Sequence, residues 1–422
     1  VGSFRLTTVA ADAGTAGADT LLLPFDRPLA DWGPELVVHV PRGISRHLVR
    51  FVEVSGAIFA VKEGTDRFVV REYDLLQALG ERSVPVVRAF GYAVARVDDD
   101  GAALPGLLLT RHLAFSQPYR ALFTGRPLPG LQGRLLDALA GLFVRLHLAG
   151  FFWGDCSLSN TLFRRDAGAL AAYLVDAETG ELHPQLSDGQ RNHDLDIAVE
   201  NIAGELLDLQ VAGLLADDLD VVDFVWSLPP RYTGLWSELT ADELVPPGEN
   251  FRINARIRRL HQLGFDVGEI AVRTEPGGLR LHLDTQVVEA GHHQRRLFAL
   301  TGLRVQENQA RALLDDLARF RAKWEAGLGT PVAESLAARR WLDEKFFATL
   351  ALVPPELRPR LPDAELYHEI NEHRWLLSER TGHDVGRATA VASYVGAVLT
   401  DLPDQSVDLA GPPTEEFEPL FD

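Results

Sequence analysis

The sequence predicts an α+β protein built in three successive parts: a β-rich lobe, an α-rich lobe, and a mainly helical C-terminal domain with a small β-hairpin. Three observations predict it. Runs rich in Val, Ile and Phe crowd the first 113 residues, separated by turn residues. From Leu131 the apolar residues shift to three- and four-residue spacing, the mark of helices that bury one face. Pro246-Pro247-Gly248 then separates this second part from a third, again with helical periodicities. The chain has 422 residues, 46% hydrophobic and 24% charged, enough for two or three packed domains at roughly 100–200 residues each.

Residues 1–35 are rich in Ala, Gly, Thr and Asp and read as a loosely structured lead-in with a short strand over 4–9. The β-rich lobe, 36–113, opens with strands over 36–40, 48–54 and 57–62, the last two joined by a Ser55-Gly56 hairpin turn. A helix follows over 67–79, with Phe68, Tyr73, Leu75, Leu76 and Leu79 as its apolar residues. Strands over 85–94 and 106–113 flank the turn Asp98-Asp99-Asp100-Gly101. In the α-rich lobe, 114–238, Leu131, Leu135, Leu136, Leu139, Leu142, Phe143 and Leu146 share one face of a helix that Gly150 stops. Segments 161–163 and 171–175 read as a short hairpin, and 197–209 as an amphipathic helix. The C-terminal domain, 239–400, carries helices over 253–263, 306–325, 331–350 and 363–380. Its hairpin joins 270–274 to 279–283 around Pro276-Gly277-Gly278, and Trp341 and Trp375 are expected in its core. Residues 401–422 hold seven acids, four prolines and no base, the composition of a disordered tail.

Net charge is −19, from 60 acids against 41 bases, which argues against non-specific binding to nucleic acid or an anionic membrane. One cysteine, Cys156, excludes an intrachain disulfide and a cysteine-based zinc site. The sequence holds no leader-like start and no apolar run of about 18 residues, so the expectation is a soluble, cytoplasmic protein without membrane insertion.

The chemistry concentrates in Trp153-Gly154-Asp155-Cys156-Ser157-Leu158-Ser159-Asn160 and in Leu174-Val175-Asp176. An Asp, an Asn five residues on, and an Asp ending an apolar strand make the acidic half of a phosphoryl-transfer site. Such a site needs a carboxylate facing the acceptor hydroxyl and two oxygen ligands that hold Mg²⁺ on the phosphates. Asp176 after Ala172-Tyr173-Leu174-Val175 is costly to desolvate unless it is paired or binds a cation; Glu178 is an auxiliary candidate. Lys62 ends the third β-run, and the chain has only three lysines against 38 arginines, so a lysine there points to a required ammonium. Glu72, on the next helix, is the carboxylate expected to pair with it. The bland alternatives stay open: a turn for Asp155–Asn160, a solvated helix acid for Glu72.

In order, these pieces are a strand Lys, a helix Glu, Leu146-His147-x-x-Gly150-x-x-x-Gly154-Asp155-x-x-x-x-Asn160, and an apolar-apolar-Asp. That order resembles the protein-kinase-like superfamily, and within it the bacterial small-molecule and lipopolysaccharide-core sugar kinases, over residues of about 36–235. The whole chain also resembles an uncharacterised bacterial family that joins such a lobe pair to an extra C-terminal domain. The resemblance implies a bilobal kinase-like fold, ATP and Mg²⁺ as cofactors, and phosphoryl transfer to a hydroxyl of a small molecule, sugar or lipid-linked sugar. It implies Asp155 as catalytic base, Asn160 and Asp176 as metal ligands, and Lys62 with Glu72 as the ion pair. Related kinases brace the catalytic loop with an acid from below, a place that Asp194 or Asp196 fills here; helix capping by Asp194 is the alternative.

Departures from the pattern narrow the reading. In place of a glycine-rich run stands Pro41-Arg42-Gly43-Ile44-Ser45-Arg46-His47, so a phosphate cradle must use Gly43, Ser45 and Arg46. Asp176 is followed by Ala177-Glu178, and Trp153 takes the slot where protein kinases usually place His. These changes argue against protein phosphorylation and leave a non-catalytic nucleotide-binding module, a scaffold or regulator, as the alternative. His292-His293, and His368, His373 and His383, lack the spacing of a metal site; Cys156, without a base partner, reads as a packing residue.

Overall fold

The computed structural model describes residues 3–8, 20–38, 48–124, 130–215, 219–240, 243–245, 265–267, 270–275, 278–283 and 288–402. Expected features at Gly43, Ser45 and Arg46, the helix over 253–263, and 403–422 of the acidic tail lie outside these residues.

The β-rich lobe is one antiparallel sheet. Its strands are β1 (Ser3–Thr8), β2 (Val37–Val38), β3 (Val49–Val54), β4 (Ala57–Gly64), β5 (Arg88–Val97), β6 (Ala103–Leu104) and β7 (Gly106–Arg111). They run in the order β1-β5-β7-β4-β3-β2, with β6 on β5. The β3–β4 turn is tight because Ser55 and Gly56 both take positive φ, 52° and 74°. Helix α1 (Asp66–Glu81) lies across one face, burying Val69, Glu72, Leu76 and Leu79. Phe68, expected on that face, is exposed. The buried stripe runs i, i+3, i+7, i+10, and it carries Glu72 in among aliphatic neighbours.

The lead-in is not loose where it is described. Strand β1 pairs with β5 from Ser3↔Val97 to Thr8↔Gly91. Gly91 permits that contact, since a Cβ there would sit 2.4 Å from the Thr7 carbonyl oxygen. Leu23, Phe25, Leu29 and Trp32 pack on the sheet face opposite α1, against Val52, Phe59, Val61 and Leu109. Buried Arg96 staples this cover: its Nε donates to the Phe25 carbonyl at 2.8 Å, and Nη2 donates to that of Arg27. The apolar residues of 20–32 follow no period because they cover a sheet without forming a long element, which hid them from a periodicity reading.

The α-rich lobe is built on α2 (Leu131–Leu148), whose buried face holds all the expected residues but Leu131, which packs half-buried at its edge. Around it lie β8 (Gln117–Pro118), β9 (Phe151–Phe152), β10 (Thr161–Asp166), β11 (Ala169–Leu174), β12 (Glu181–Leu182), α3 (Asp188–Val211), α4 (Val221–Trp226) and α5 (Leu228–Thr240). Strands β10 and β11 form the expected hairpin, longer than predicted and turned at Ala167-Gly168, both at positive φ. Helix α3 starts nine residues before the predicted 197, at a capping box in which Ser187 and Gln190 satisfy each other's backbone N–H. One apolar core runs from α1 through both lobes.

The C-terminal region has its own core, centred on Trp341, Phe346, Leu366 and Tyr367. Its helices are α6 (His292–Thr301), α7 (Glu307–Leu328), α8 (Glu334–Trp341), α9 (Asp363–Thr381) and α10 (Arg387–Ala397), with a π-helical turn at Leu342–Phe347 after α8. The predicted hairpin pairs Ile270–Glu275 with Gly278–Leu283. Trp341 is buried as expected; Trp375 is not, standing 62% exposed on α9. No helix among the described residues is long and apolar enough to cross a membrane.

Candidate active site

Strand alternation on β4 sends Phe59 and Val61 into the core beneath the lead-in and Lys62 to the opposite side, toward α1. There the Lys62 ammonium donates to three carboxylates: Glu72 Oε2 at 3.0 Å, Asp176 Oδ2 at 2.7 Å and Glu178 Oε2 at 3.1 Å. The predicted Lys62–Glu72 pair thus forms, and it reaches across to the strand end of the other lobe. Three acids share this one ammonium. Burial pushes the Glu72 carboxyl up to about 8, with the Asp176 charge adding to the shift and Lys62 opposing it. Burial alone would pull the Lys62 ammonium down, but the Glu72 and Asp176 charges outweigh it and the net shift is upward.

Glu72, Asp176 and Glu178 each offer an oxygen within 4.8 Å of the others'. Three hard carboxylate oxygens gathered in one place are a donor set that suits Mg²⁺. Arg71 fixes the segment after Asp176, donating to the carbonyls of Glu178 at 3.3 Å and Gly180 at 2.7 Å.

The Asp155–Asn160 loop hangs between β9 and β10. Gly154 takes φ 74°, which turns the chain sharply before Asp155. The Asn160 Nδ2 donates to the Asp155 carbonyl at 3.1 Å and to its carboxylate Oδ2 at 3.3 Å. With Nδ2 so engaged, Asn160 Oδ1 is the atom it can offer a cation. The Asn160 carbonyl accepts from the Val175 N–H at 3.1 Å, which sets Asn160 beside the Asp176 strand end. Trp153, in the unusual slot, donates its indole N–H to the Asp176 carbonyl at 3.1 Å and so ties loop to strand end.

Two residues of this loop's support went unread in the sequence. Asn201 Nδ2 donates to Asp155 Oδ1 at 3.3 Å and to the Cys156 carbonyl at 3.1 Å. Glu205 takes the Leu158 and Ser159 N–H groups at 2.7 and 3.1 Å. Both stand on α3, four residues apart on one helix face, the one signal that could have paired them.

The brace from below is Asp194. It is buried within α3, and its carboxylate accepts from the Trp153 and Gly154 N–H groups, each at 2.8 Å. It is no helix cap, since Ser187 caps α3. Asp196, the other candidate, points to solvent on the opposite side of the helix. His147 completes the brace: burial lowers its pKa, so the neutral ring donates Nε2–H to Asp194 at 3.1 Å and accepts from the Tyr232 hydroxyl at Nδ1, 2.7 Å.

The remaining candidates take structural places. His293 binds Glu307 at 2.6 Å, and His373 the Ser393 hydroxyl at 2.9 Å. Cys156 is buried, and burial pushes its thiol well above the usual range.

Comparison with known proteins follows the same division of the chain. Residues 60–201 match the model of the Lipopolysaccharide kinase (Kdo/WaaP) family, and 234–399 that of a Domain of unknown function (DUF4032). No curated protein matches. Among solved structures, WaaP in complex with acyl carrier protein is 18% identical with a TM-score of 0.37, the match covering 61% of this chain and 99% of that one. The Rad53 kinase domain and SCD2 structure is 16% identical with a TM-score of 0.25, covering 32% and 49%. Over residues 60–201, then, the chain is similar to the lipopolysaccharide kinases, and over 234–399 it is similar to a domain without assigned function.

Proposed function

We propose that this chain is an ATP- and Mg²⁺-dependent phosphotransferase acting on a hydroxyl of a small molecule, sugar or lipid-linked sugar. The observation that carries the reading is Lys62, held at once by Glu72 of one lobe and Asp176 of the other. In this reading Lys62 binds nucleotide phosphates, and Glu72 keeps its ammonium aimed at them. Asp176 and the Asn160 amide oxygen hold Mg²⁺, with Glu178 as a further acid at the same place. Bound Mg²⁺ supplies charge neutralisation on the phosphates. Asp155 accepts a hydrogen bond from the acceptor hydroxyl and receives its proton as the hydroxyl oxygen bonds to the γ-phosphorus of ATP and the bond from that phosphorus to the departing ADP breaks. Asn160 and Asn201 each hold one of its carboxylate oxygens, which fixes its direction. Sugar or lipid-linked sugar as the acceptor class comes from the name of the matching family.

The test is Mg·ATP turnover with a panel of sugars and lipid-linked sugars, for the natural protein and for Asp155→Asn. Removal of a general base is expected to cost about 10²–10⁴-fold in turnover. Nucleotide binding should persist in the variant. Equal turnover in the two proteins would sink the reading. Metal-dependent binding without turnover in either would make the chain a nucleotide-binding scaffold instead.

A further inference from the structure

We propose that the C-terminal helical region is a clamp on the β10–β11 hairpin, and that Asp166 at the hairpin's far end is a positioning residue for Asn160 and Asp176 at its base. The positioning role rests on the phosphotransferase reading above.

The hairpin connects the two places directly. Its strands pair from Thr161↔Leu174 at the base to Asp166↔Ala169 at the tip. Asn160 precedes the first strand, and Asp176 stands two residues past the second. Strand β8 adds a third partner only at Leu162 and Phe163, so among the described residues β10 has no second ladder over Arg164–Asp166. A bare two-stranded end is marginally stable.

The C-terminal helices supply what that end lacks. Asp166 is buried, and its carboxylate sits on the first turn of α7, where backbone N–H groups lack helical partners. Its Oδ1 accepts from the Gln309 N–H at 2.7 Å, and its Oδ2 from the Asn308 N–H and Nδ2, both at 3.1 Å. At the turn, Glu365 Oε2 on α9 accepts from the Ala167 N–H and from Gln309 Nε2, each at 2.8 Å. The Arg165 carbonyl accepts from Gln309 Nε2 at 3.1 Å and from Gln306 Nε2. Outside this buried set, Arg165 pairs with Glu369 at 2.8 Å, and Glu369 accepts from the Tyr394 hydroxyl of α10.

Asp166, Gln306, Gln309 and Glu365 are all buried in this joint. Burying polar groups is costly unless each finds its partner; of the carboxylate and amide groups named here only Gln306 Oε1 lacks one, and a network so nearly satisfied fixes one register. A loosely tethered domain needs no such network. A hairpin gripped at its tip cannot twist or slide freely, so the joint sets where Asn160 and Asp176 stand relative to Lys62. Loosening it should weaken cation-dependent binding and leave metal-free nucleotide contacts alone.

The experiment compares the full chain with Asp166→Ala, with Asp166→Asn as the conservative variant that keeps an acceptor oxygen. Two quantities are read: hydrogen exchange over residues 161–174, and ADP affinity without metal and with Mn²⁺. Expected for Asp166→Ala are faster hairpin exchange and an about tenfold loss of the Mn²⁺-dependent gain in affinity, the effect usual for groups that orient metal ligands. Metal-free affinity should hold, and Asp166→Asn should recover much of both effects. Should Asp166→Ala fail to fold, Gln309→Leu removes two other contacts of the joint, those of its Nε2 to the Arg165 carbonyl and to Glu365, and is read the same way. Unchanged hairpin exchange would overturn the clamp. Faster exchange with an intact Mn²⁺ gain would overturn the positioning role. If the natural chain shows no Mn²⁺-dependent nucleotide binding, the phosphotransferase reading fails and the positioning role with it, while the exchange data still decide the clamp.

Discussion

Two clusters of carboxylates among the described residues are met by different kinds of donor. At the candidate active site, Glu72, Asp176 and Glu178 converge on one ammonium. At the domain joint, Asp166 and Glu365 accept from backbone and amide N–H groups, with the buried Arg145 guanidinium adding its charge near Asp166. The joint's acceptors are occupied by fixed protein donors, so it has no use for a cation. The acids around Lys62 instead converge on a charged ammonium and lie close enough together to share a cation. Acid content alone does not separate the two; the identity of the donors does.

The largest test of that contrast is Asp176→Asn. It should reduce Mg-dependent turnover by about 10³-fold or more, the order seen when a preorganised charge on the transferring group is lost. The metal-free fold should survive, because the change removes repulsion as well as attraction. A comparable loss of activity from Glu369→Gln, an acid of the joint, would break the distinction.

Next in size is Asp194→Ala. It strips partners from the Trp153 and Gly154 N–H groups and from His147 Nε2 inside the core. Buried donors left unpaired cost about 1–3 kcal/mol each, so chemical denaturation should show a loss of about 3 kcal/mol or more. Asp196→Ala, on the exposed side, should change stability by about 0.5 kcal/mol at most.

A third test uses pH. Burial raises the Glu365 carboxyl from 4.5 to about 7, with the nearby Glu369 charge contributing and the Ala167 N–H opposing. The folded state therefore holds this proton more tightly than the unfolded chain. Its contribution is full below the unfolded value of 4.5 and is lost as pH rises through about 7. The natural protein should lose more thermal stability between pH 5.5 and 8 than Glu365→Gln, whose amide cannot ionise. Adding Mg²⁺ should leave that difference between the two proteins unchanged, because the joint offers no cation site.

The smallest effect is expected at Asn201. Asn201→Ala frees one Asp155 oxygen while Asn160 still holds the other. Turnover should fall about tenfold, and nucleotide affinity should not change. A loss as large as that of Asp155→Asn would mean that Asn201 itself touches substrate.

Much of this was legible because it is local. Strand and helix periods follow from which face each residue must bury, and the stripe of α2 could be read residue by residue. The spacing Asp155, Asn160, Asp176 survives in the sequence because one loop and one hairpin carry all three. Lys62 stood out through the rarity of lysine, and Glu72 through its place ten residues on. What the sequence left open is what distance along the chain conceals. Asp194 and Asp196 were equal candidates until the winding of α3 turned one into the core and the other to water. Asn201 and Glu205 reach back more than forty residues to the loop, and no local pattern marks such a partner. The lead-in's apolar residues have no period because they cover a sheet face. The joint at Asp166 unites side chains over 140 residues apart, which local propensity does not encode. The sequence by itself determined the elements and the chemistry-bearing loop, since those depend on neighbours a turn or a strand away. Tertiary structure alone decided which acids are braces, which are ligand candidates and which are joints, since that depends on the donors packed against each carboxylate.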